Sequence, residues 1–278
     1  MKNLQNKTAA ITGAASGIGR ATALNLASKG CNIAIADMNE TGLNETATMA
    51  EKFDVKVSIH LLDVSDRDAI YQFADDVKET HKNINIIINN AGVSMTAKVS
   101  EMKLEDFQWL MDINFWGVVN GTQAFLPYLE ESGDGHIVNI SSLFGLLSVP
   151  TQSAYNASKF AVRGFTESLR MELDMYKSNV SITSIHPGGI KTNIITNSKV
   201  VTKEGIFKDK EKAAKILESQ FGTTPEEAAV QIVNGILKNK RRVLIGKDAI
   251  MLDKMQRFFP GFYQKLTVMN SRKAFISR

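Results

Sequence analysis

The sequence predicts an α/β fold, a doubly wound parallel sheet of seven strands with helices on both faces, and three observations lead there. Short apolar runs alternate along the chain with longer segments of helical periodicity. The runs IAIA (33–36) and INIII (84–88) are apolar nearly throughout, as strands buried on both faces are. The stretch TGAASGIG, residues 12–19, joins the first apolar run to the first helical segment through Gly13, Gly17 and Gly19. At such a turn the first backbone N–H groups of the helix lack partners and the macrodipole is positive. A pyrophosphate can dock there if no side chain blocks it.

The elements follow in order. The first strand covers Ala9 to Thr12, and Ile18, Ala21, Leu24, Leu26 and Ala27 recur with helical spacing in the segment 18–29. Strand Asn32 to Ala36 precedes helix 40–53, strand Lys56 to Leu62 precedes helix 66–80, and strand Ile84 to Asn89 precedes a long helix, 103–131. Strand His136 to Ile140 leads to helix 153–177. Strand Ser181 to Ile185 leads to helices 208–220 and 225–238, and the seventh strand is Val243 to Ile245. Right-handed crossovers between such strands place ligands beyond their carboxyl ends, where TGAASGIG lies.

No repeat, low-complexity tract or Pro/Gly/Ser linker divides the chain, so residues 1–246 read as one domain. Within it 188–207 is irregular and rich in Gly, Asn, Thr and Lys, which makes 188–222 the expected substrate loop or lid. Residues 247–278 form a basic amphipathic extension, in which Met251, Leu252, Met255, Phe258 and Phe259 are helically spaced until Pro260 stops the run. Such a stripe reads first as a subunit interface or pocket cover. Peripheral contact with an anionic membrane is the less favoured alternative.

Composition narrows the classes. Of 278 residues 44% are hydrophobic and 22% charged, ordinary for a globular protein. The amino terminus carries no apolar run of signal-peptide length, and nowhere do eighteen apolar residues run together, so the cytoplasm is the expected location. Cys31 is the only cysteine, and His60, His81, His136 and His186 lack ligand-like spacing, so no metal is expected. The net charge of +4 is uneven: residues 238–278 hold eleven Lys or Arg and two Asp, +9, against −5 for the rest. The run KNKRR (238–242) is brief and flanks a strand, so a solvated loop explains it better than nucleic-acid binding.

Chemistry gathers at the carboxyl edge. Asp37 ends the second strand, eighteen positions past Gly19, where a carboxylate accepts ribose hydroxyls and repels a 2′-phosphate, favouring NAD over NADP. Asp63, in LLDVSD with Val64, lies either near the adenine or in a turn. Tyr155 and Lys159 stand four apart on one helix face, where an ammonium would lower the phenol's pKa and make it a usable acid or base. Ser142 lies just past strand HIVNI, its hydroxyl at the same edge. Asn114 sits in a helix interior where Asn is a mediocre former, which suggests a polar task.

Together TGAASGIG, Asp37, NNAG (89–92), Asn114, Ser142 in NISS, YNASK (155–159) and PGGIKT (187–192) resemble the short-chain dehydrogenase/reductase family over residues 7 to about 192. The resemblance implies a Rossmann sheet in the order 3-2-1-4-5-6-7, a nicotinamide cofactor, and a catalytic tetrad of Asn114, Ser142, Tyr155 and Lys159. In that reading Tyr155 exchanges the proton, Ser142 orients the substrate oxygen, Lys159 lowers the Tyr155 pKa and holds the nicotinamide ribose, and Asn114 steadies its helix and a water-linked proton path. The cofactor would lie against Gly13, Ser16, Gly17, Ile18, Gly19, Asp37, Met38, Asp63, Val64, Asn90, Ala91 and Gly92. Pro187, Gly188, Ile190 and Thr192 would approach its nicotinamide end. NADP-selecting members carry a basic residue where this chain has Ser16 or Met38, while Arg20, directly after Gly19, argues the other way. The resemblance further implies a homodimer or homotetramer and a small-molecule substrate. The expected function is an NAD-dependent oxidoreductase of a secondary alcohol or ketone, apolar by Leu143, Phe144, Leu146, Leu147 and Val149. An NADP-preferring carbonyl reductase and a non-catalytic dinucleotide sensor are the alternatives.

Overall fold

The computed structural model describes residues 1–192, 194, 197–201 and 222–275. Seven parallel strands form the sheet: β1 (Thr8–Thr12), β2 (Asn32–Asp37), β3 (Val57–Leu61), β4 (Ile86–Asn89), β6 (Gly135–Ile140), β7 (Val180–Pro187) and β9 (Arg242–Ile245). Their order is β3-β2-β1-β4-β6-β7-β9, which is 3-2-1-4-5-6-7 when only this sheet is counted. A separate parallel pair, β5 (Met95–Ala97) and β8 (Lys199–Val201), was not expected.

Alternation of side chains along each strand builds two cores. Ile33, Ile35, Ile86 and Ile88 face α1 (Gly17–Ala27), α2 (Glu40–Ala50) and, late in the chain, α7 (Pro225–Leu237). Ala34, Ala36 and Ile87 face α3 (Arg67–His81) and α5 (Gly117–Glu131), with Phe73, Val77, Phe125 and Leu129 filling the space. Both faces are covered, which is why the central strands need apolar residues at every position. The edge strand β3 is covered less, and its Ile59 and Leu61 are exposed.

Caps fix where the helices begin. Asn39 accepts from Gly42 N at 3.0 Å, Asp66 from Ala69 N at 3.0 Å, and Thr224 forms a reciprocal capping box with Glu227 ahead of Pro225. The helix that follows the glycine turn differs: its N-cap Ser16 makes no side-chain cap, so the first N–H groups of α1 stay directed at the sheet's carboxyl edge.

The structure corrects three details. The expected single helix 103–131 is α4 (Leu104–Met111) and α5 joined by a π turn, Asp112–Trp116, whose extra residue periodicity does not register. The segment expected to be irregular contains β8 and an Ile190–Thr223 bridge, because a three-residue strand is too short for a periodic signal. The expected helix 208–220 falls outside the described residues. Pro260 does end α8 (Lys247–Phe258), but it also opens α9 (Pro260–Phe275), since proline at the first helical position loses no hydrogen bond.

Candidate active site

The glycine turn is held open by its neighbours. Gly13 has φ +68°, and a Cβ there would lie 2.8 Å from Ala91 Cα. At Gly19 a Cβ would stand 2.1 Å from the Gly13 carbonyl oxygen, so only glycine lets α1 start this close. Asn90 clamps the turn by donating its side-chain amide to the carbonyls of Thr12 (2.9 Å) and Gly13 (3.0 Å). The Thr12 hydroxyl accepts from both Asn90 N and Ala91 N at 3.1 Å. Thr12 is a positioning residue that the sequence alone did not single out, since its task depends on a loop some 78 residues away.

Asp37 closes the adenosine side. Its Oδ2 accepts from Ala15 N at 3.1 Å and its Oδ1 from Asn39 N at 3.0 Å, leaving lone pairs on each oxygen for further donors. Met38 beside it is 65% exposed. Arg20 is occupied: it donates to Thr46 Oγ1 at 2.9 Å, Gly42 O at 3.2 Å, the Ala15 carbonyl and the Glu45 carboxylate at 2.7 Å. Asp63 accepts from Ser65 N and Oγ, so it closes a turn, and Val64 is buried against Gly117.

The expected tetrad converges from three elements. Ser142 follows β6, caps a 3₁₀ turn by accepting from Phe144 N at 3.0 Å, and lies near enough to Tyr155 to act on its phenol. Tyr155 and Lys159 lie on one face of α6 (Ser153–Met175), and both are buried. Lys159 Nζ donates to Ile140 O at 3.0 Å and lies 5.7 Å from the Tyr155 ring centre. Asn114, fully buried at the middle of the π turn, accepts from Val93 N at 2.8 Å and donates to Val93 O at 2.9 Å and Ser158 Oγ at 3.2 Å. It fixes the loop after β4 to α6. A Cβ on Gly92 would sit 3.1 Å from Asn114 Oδ1 and 3.5 Å from Lys159 Nζ, so this glycine keeps space open between them. Ser141 is turned away to the Lys159 carbonyl at 2.8 Å, which leaves the edge to Ser142.

The electrostatics differ from the expectation for Tyr155. Burial pushes its phenol above the ordinary value, and the Ser142 hydroxyl works in the opposite direction. The Lys159 amine donates to the Ile140 carbonyl. Desolvation lowers Lys159 itself to about 8. A further buried group, His186, stands behind Ser142: its Nδ1 donates to the Ser142 carbonyl at 3.0 Å while Ser184 Oγ lies 2.9 Å from Nε2. Desolvation lowers His186 to about 4, so the ring is neutral.

A cavity of about 470 Å³ opens at this edge. Of the expected residues it is lined by Ile18, Asn90, Gly92, Ser142, Tyr155, Lys159, Pro187, Gly188, Ile190 and Thr192. Gly13, Ser16, Gly17, Gly19, Asp37, Met38, Asp63, Val64, Ala91 and Asn114 do not line it. Leu143, Phe144 and Val149 face it, whereas Leu146 is in the core and Leu147 packs against Tyr263 of the extension. The extension contributes Asp248, Leu252, Thr267 and Ser271 to the cavity wall, which accords with the pocket-cover reading of its apolar stripe. Asp248 accepts from Gly189 N at 2.7 Å and so ties the extension to the loop after β7. The two arginines of the basic run before it are paired: Arg241 reaches Asp174 at 2.7 Å and Arg242 reaches Glu167, both on α6.

The glycine cradle and uncapped α1 fit a dinucleotide pyrophosphate, and the cavity fits its nicotinamide end beside Tyr155. Comparisons with known proteins bear on the family and the fold. A model of the short chain dehydrogenase family matches residues 7–201. The chain is 44% identical over 276 residues to a putative oxidoreductase, SadH, of Mycobacterium tuberculosis, covering 99% of each. Its fold matches a short chain dehydrogenase/reductase from Burkholderia phymatum in complex with NAD, with TM-score 0.86, 26% identity and coverage of 95% and 97%. It also matches an alcohol dehydrogenase from Thermococcus sibiricus complexed with 5-hydroxy-NADP, with TM-score 0.71, 26% identity and coverage of 86% and 95%.

Proposed function

The chain belongs to the short-chain dehydrogenase family, and from that premise we propose that it uses NAD to interconvert secondary alcohols and ketones, apolar ones by preference. The observation that carries the reading is the convergence of Ser142, Tyr155 and Lys159 on one cavity beside the glycine turn. When bound, NAD supplies the hydride acceptor and its reduced form the donor. Gly13, Ser16, Gly17, Ile18 and Gly19 would hold its phosphates, Asp37 its adenosine ribose, with Met38, Asp63 and Val64 toward the adenine. Asn90, Ala91, Gly92, Tyr155 and Lys159 would hold the nicotinamide ribose, with Pro187, Gly188, Ile190 and Thr192 beyond it.

The proton is the work of this chain. With its pKa raised by burial, Tyr155 is a neutral phenol at neutral pH and donates a proton to a carbonyl oxygen, while the Ser142 hydroxyl donates a second hydrogen bond to the same oxygen. In oxidation Tyr155 first releases its own proton toward solvent and the phenolate then takes the proton of the alcohol O–H, so burial of the phenol favours this direction only as the pH rises. Asn114 and His186 act through others: one fixes Val93 and α6, the other the Ser142 backbone. NAD rather than NADP is supported by Asp37 and by the engagement of Arg20 with Thr46, Gly42 and Glu45, which draws the nearest guanidinium away from a 2′-phosphate. Leu143, Phe144, Val149 and Leu252 support an apolar substrate.

The buried, unreactive Cys31, its thiol pushed up to about 12, accords with a cytoplasmic location. Exposed Phe160, Met171 and Met175 along α6 accord with a homo-oligomer. Initial-rate NADH formation across secondary alcohols of increasing length, with NADP in parallel, tests the reading. Replacing Tyr155 by Phe is expected to lower kcat/KM at least about 100-fold. A variant within a few-fold of the parent would remove Tyr155 from the chemistry, and NADH binding without turnover on any alcohol would favour the sensor.

A further inference from the structure

The extension is a helical hairpin with two unlike faces. Inward, Leu252 and Met255 of α8 and Tyr263 of α9 pack on Leu143 and Leu147, and Leu252, Thr267 and Ser271 wall the cavity. Outward, α8 exposes Lys247, Ile250, Met251, Lys254, Arg257 and Phe258 at positions three and four apart, and α9 continues with Phe262, Lys265, Met269 and Arg272. At the bend Phe258 is 73% exposed, Phe259 62% and Phe262 59%. The two acids of residues 247–278 are both turned inward: Asp248 accepts from Gly189 N, and Asp253 is buried and paired with Arg257. The outer face is therefore large apolar side chains interleaved with cations, without an exposed acid.

We propose that this face docks the protein on an anionic lipid bilayer, with the three phenylalanines entering the headgroup boundary and the Lys and Arg side chains meeting lipid phosphates. Charge complementarity selects the occupant. Protein interfaces enrich Phe and Met but deplete Lys, whereas interfacial helices combine Phe and Leu with Lys and Arg. No helix among the described residues is long and apolar enough to cross a membrane, so the contact is peripheral. One helix thickness, about 10 Å, separates this face from the cavity. The substrate class follows, resting on the alcohol-dehydrogenase reading: secondary alcohols or ketones that partition into the bilayer, reaching Tyr155 past the hairpin.

Flotation of the full chain with phosphatidylcholine vesicles, with and without phosphatidylglycerol, tests the docking. Binding is expected only with phosphatidylglycerol. Each Lys or Arg near an anionic surface contributes about fivefold, so the double variant Lys254→Glu, Lys265→Glu should weaken partition by at least about tenfold. The triple variant Phe258→Ser, Phe259→Ser, Phe262→Ser should lose binding and the turnover of vesicle-borne long-chain alcohols, yet keep kcat/KM on a short soluble alcohol. Parent protein that does not float, or variants that float as well as the parent, overturns the proposal. So does a triple variant that changes the sedimentation coefficient without lipid, since the face is then a subunit contact. Absence of turnover on the soluble alcohol in the parent, with flotation as expected, sinks the dehydrogenase reading alone.

Discussion

Asp37 and Arg20 argue in opposite directions about the cofactor's 2′ position, and the structure separates them. The carboxylate keeps lone pairs toward the site after accepting from Ala15 N and Asn39 N, while the guanidinium is used up by Thr46, Gly42, Ala15 and Glu45. A hydrogen bond to a charged group contributes about 1.5–3 kcal/mol, or roughly 10 to 100-fold. Asp37→Ser is accordingly expected to lower the ratio of kcat/KM for NAD to that for NADP by roughly 10 to 100-fold, read from initial rates with each cofactor. An unchanged ratio would move the selectivity elsewhere. The same scale shows what a spacing of four delivers: it puts Lys159 and Tyr155 on one helix face, with the amine 5.7 Å from the phenol ring centre.

Between elements, one contact decides how the extension meets the domain. Tyr263 is 6% exposed, packs with Leu143, Leu147 and Ala249, and its hydroxyl accepts from Ser148 N at 3.4 Å. Truncating a buried aromatic side chain to alanine costs about 3–5 kcal/mol. Because the hairpin is peripheral, Tyr263→Ala should open α8 and α9 locally rather than unfold the sheet. Amide exchange in 247–272 is expected to quicken while β1 and β4 stay protected, and KM for long alcohols should rise as the cavity wall moves. Unchanged exchange in the hairpin would mean that Leu252 and Met255 suffice to hold it.

At the scale of the whole molecule, two buried histidines tie stability to pH. His136 is lowered to about 3 and His186 to about 4, both mainly by desolvation, so the native chain leaves them neutral where the unfolded chain protonates them near 6.5. Stability from this source is complete above pH 6.5 and is lost as the pH falls through 6.5 toward 4. At pH 5 each histidine costs about 2 kcal/mol, together about 4, which is a large share of ordinary domain stability. Urea midpoints should therefore fall between pH 7 and 5, before carboxylates in their ordinary range protonate. Equal midpoints at the two pH values would show that the rings are not buried neutral in solution.

The sequence by itself determined the seven-stranded parallel sheet, the glycine turn and the placement of Tyr155 and Lys159 on one helix face. Each of these is written locally, in apolar runs, in glycine spacing and in a helical interval of four. What only the tertiary structure decided depends on partners far apart in the chain. The clamp of Thr12 and Asn90, the neutral His186 behind Ser142 and the pairing of β5 with β8 join segments whose spacing carries no periodic signal. The two-faced hairpin is the clearest case. Its apolar residues were legible as a stripe, but which of them face the cavity and which face outward was settled by where Pro260 lets the chain turn back and by Tyr263 packing onto Leu147. Burial is a property of the assembled surfaces, and a one-dimensional pattern fixes it only when the opposing surface is itself dictated by the pattern.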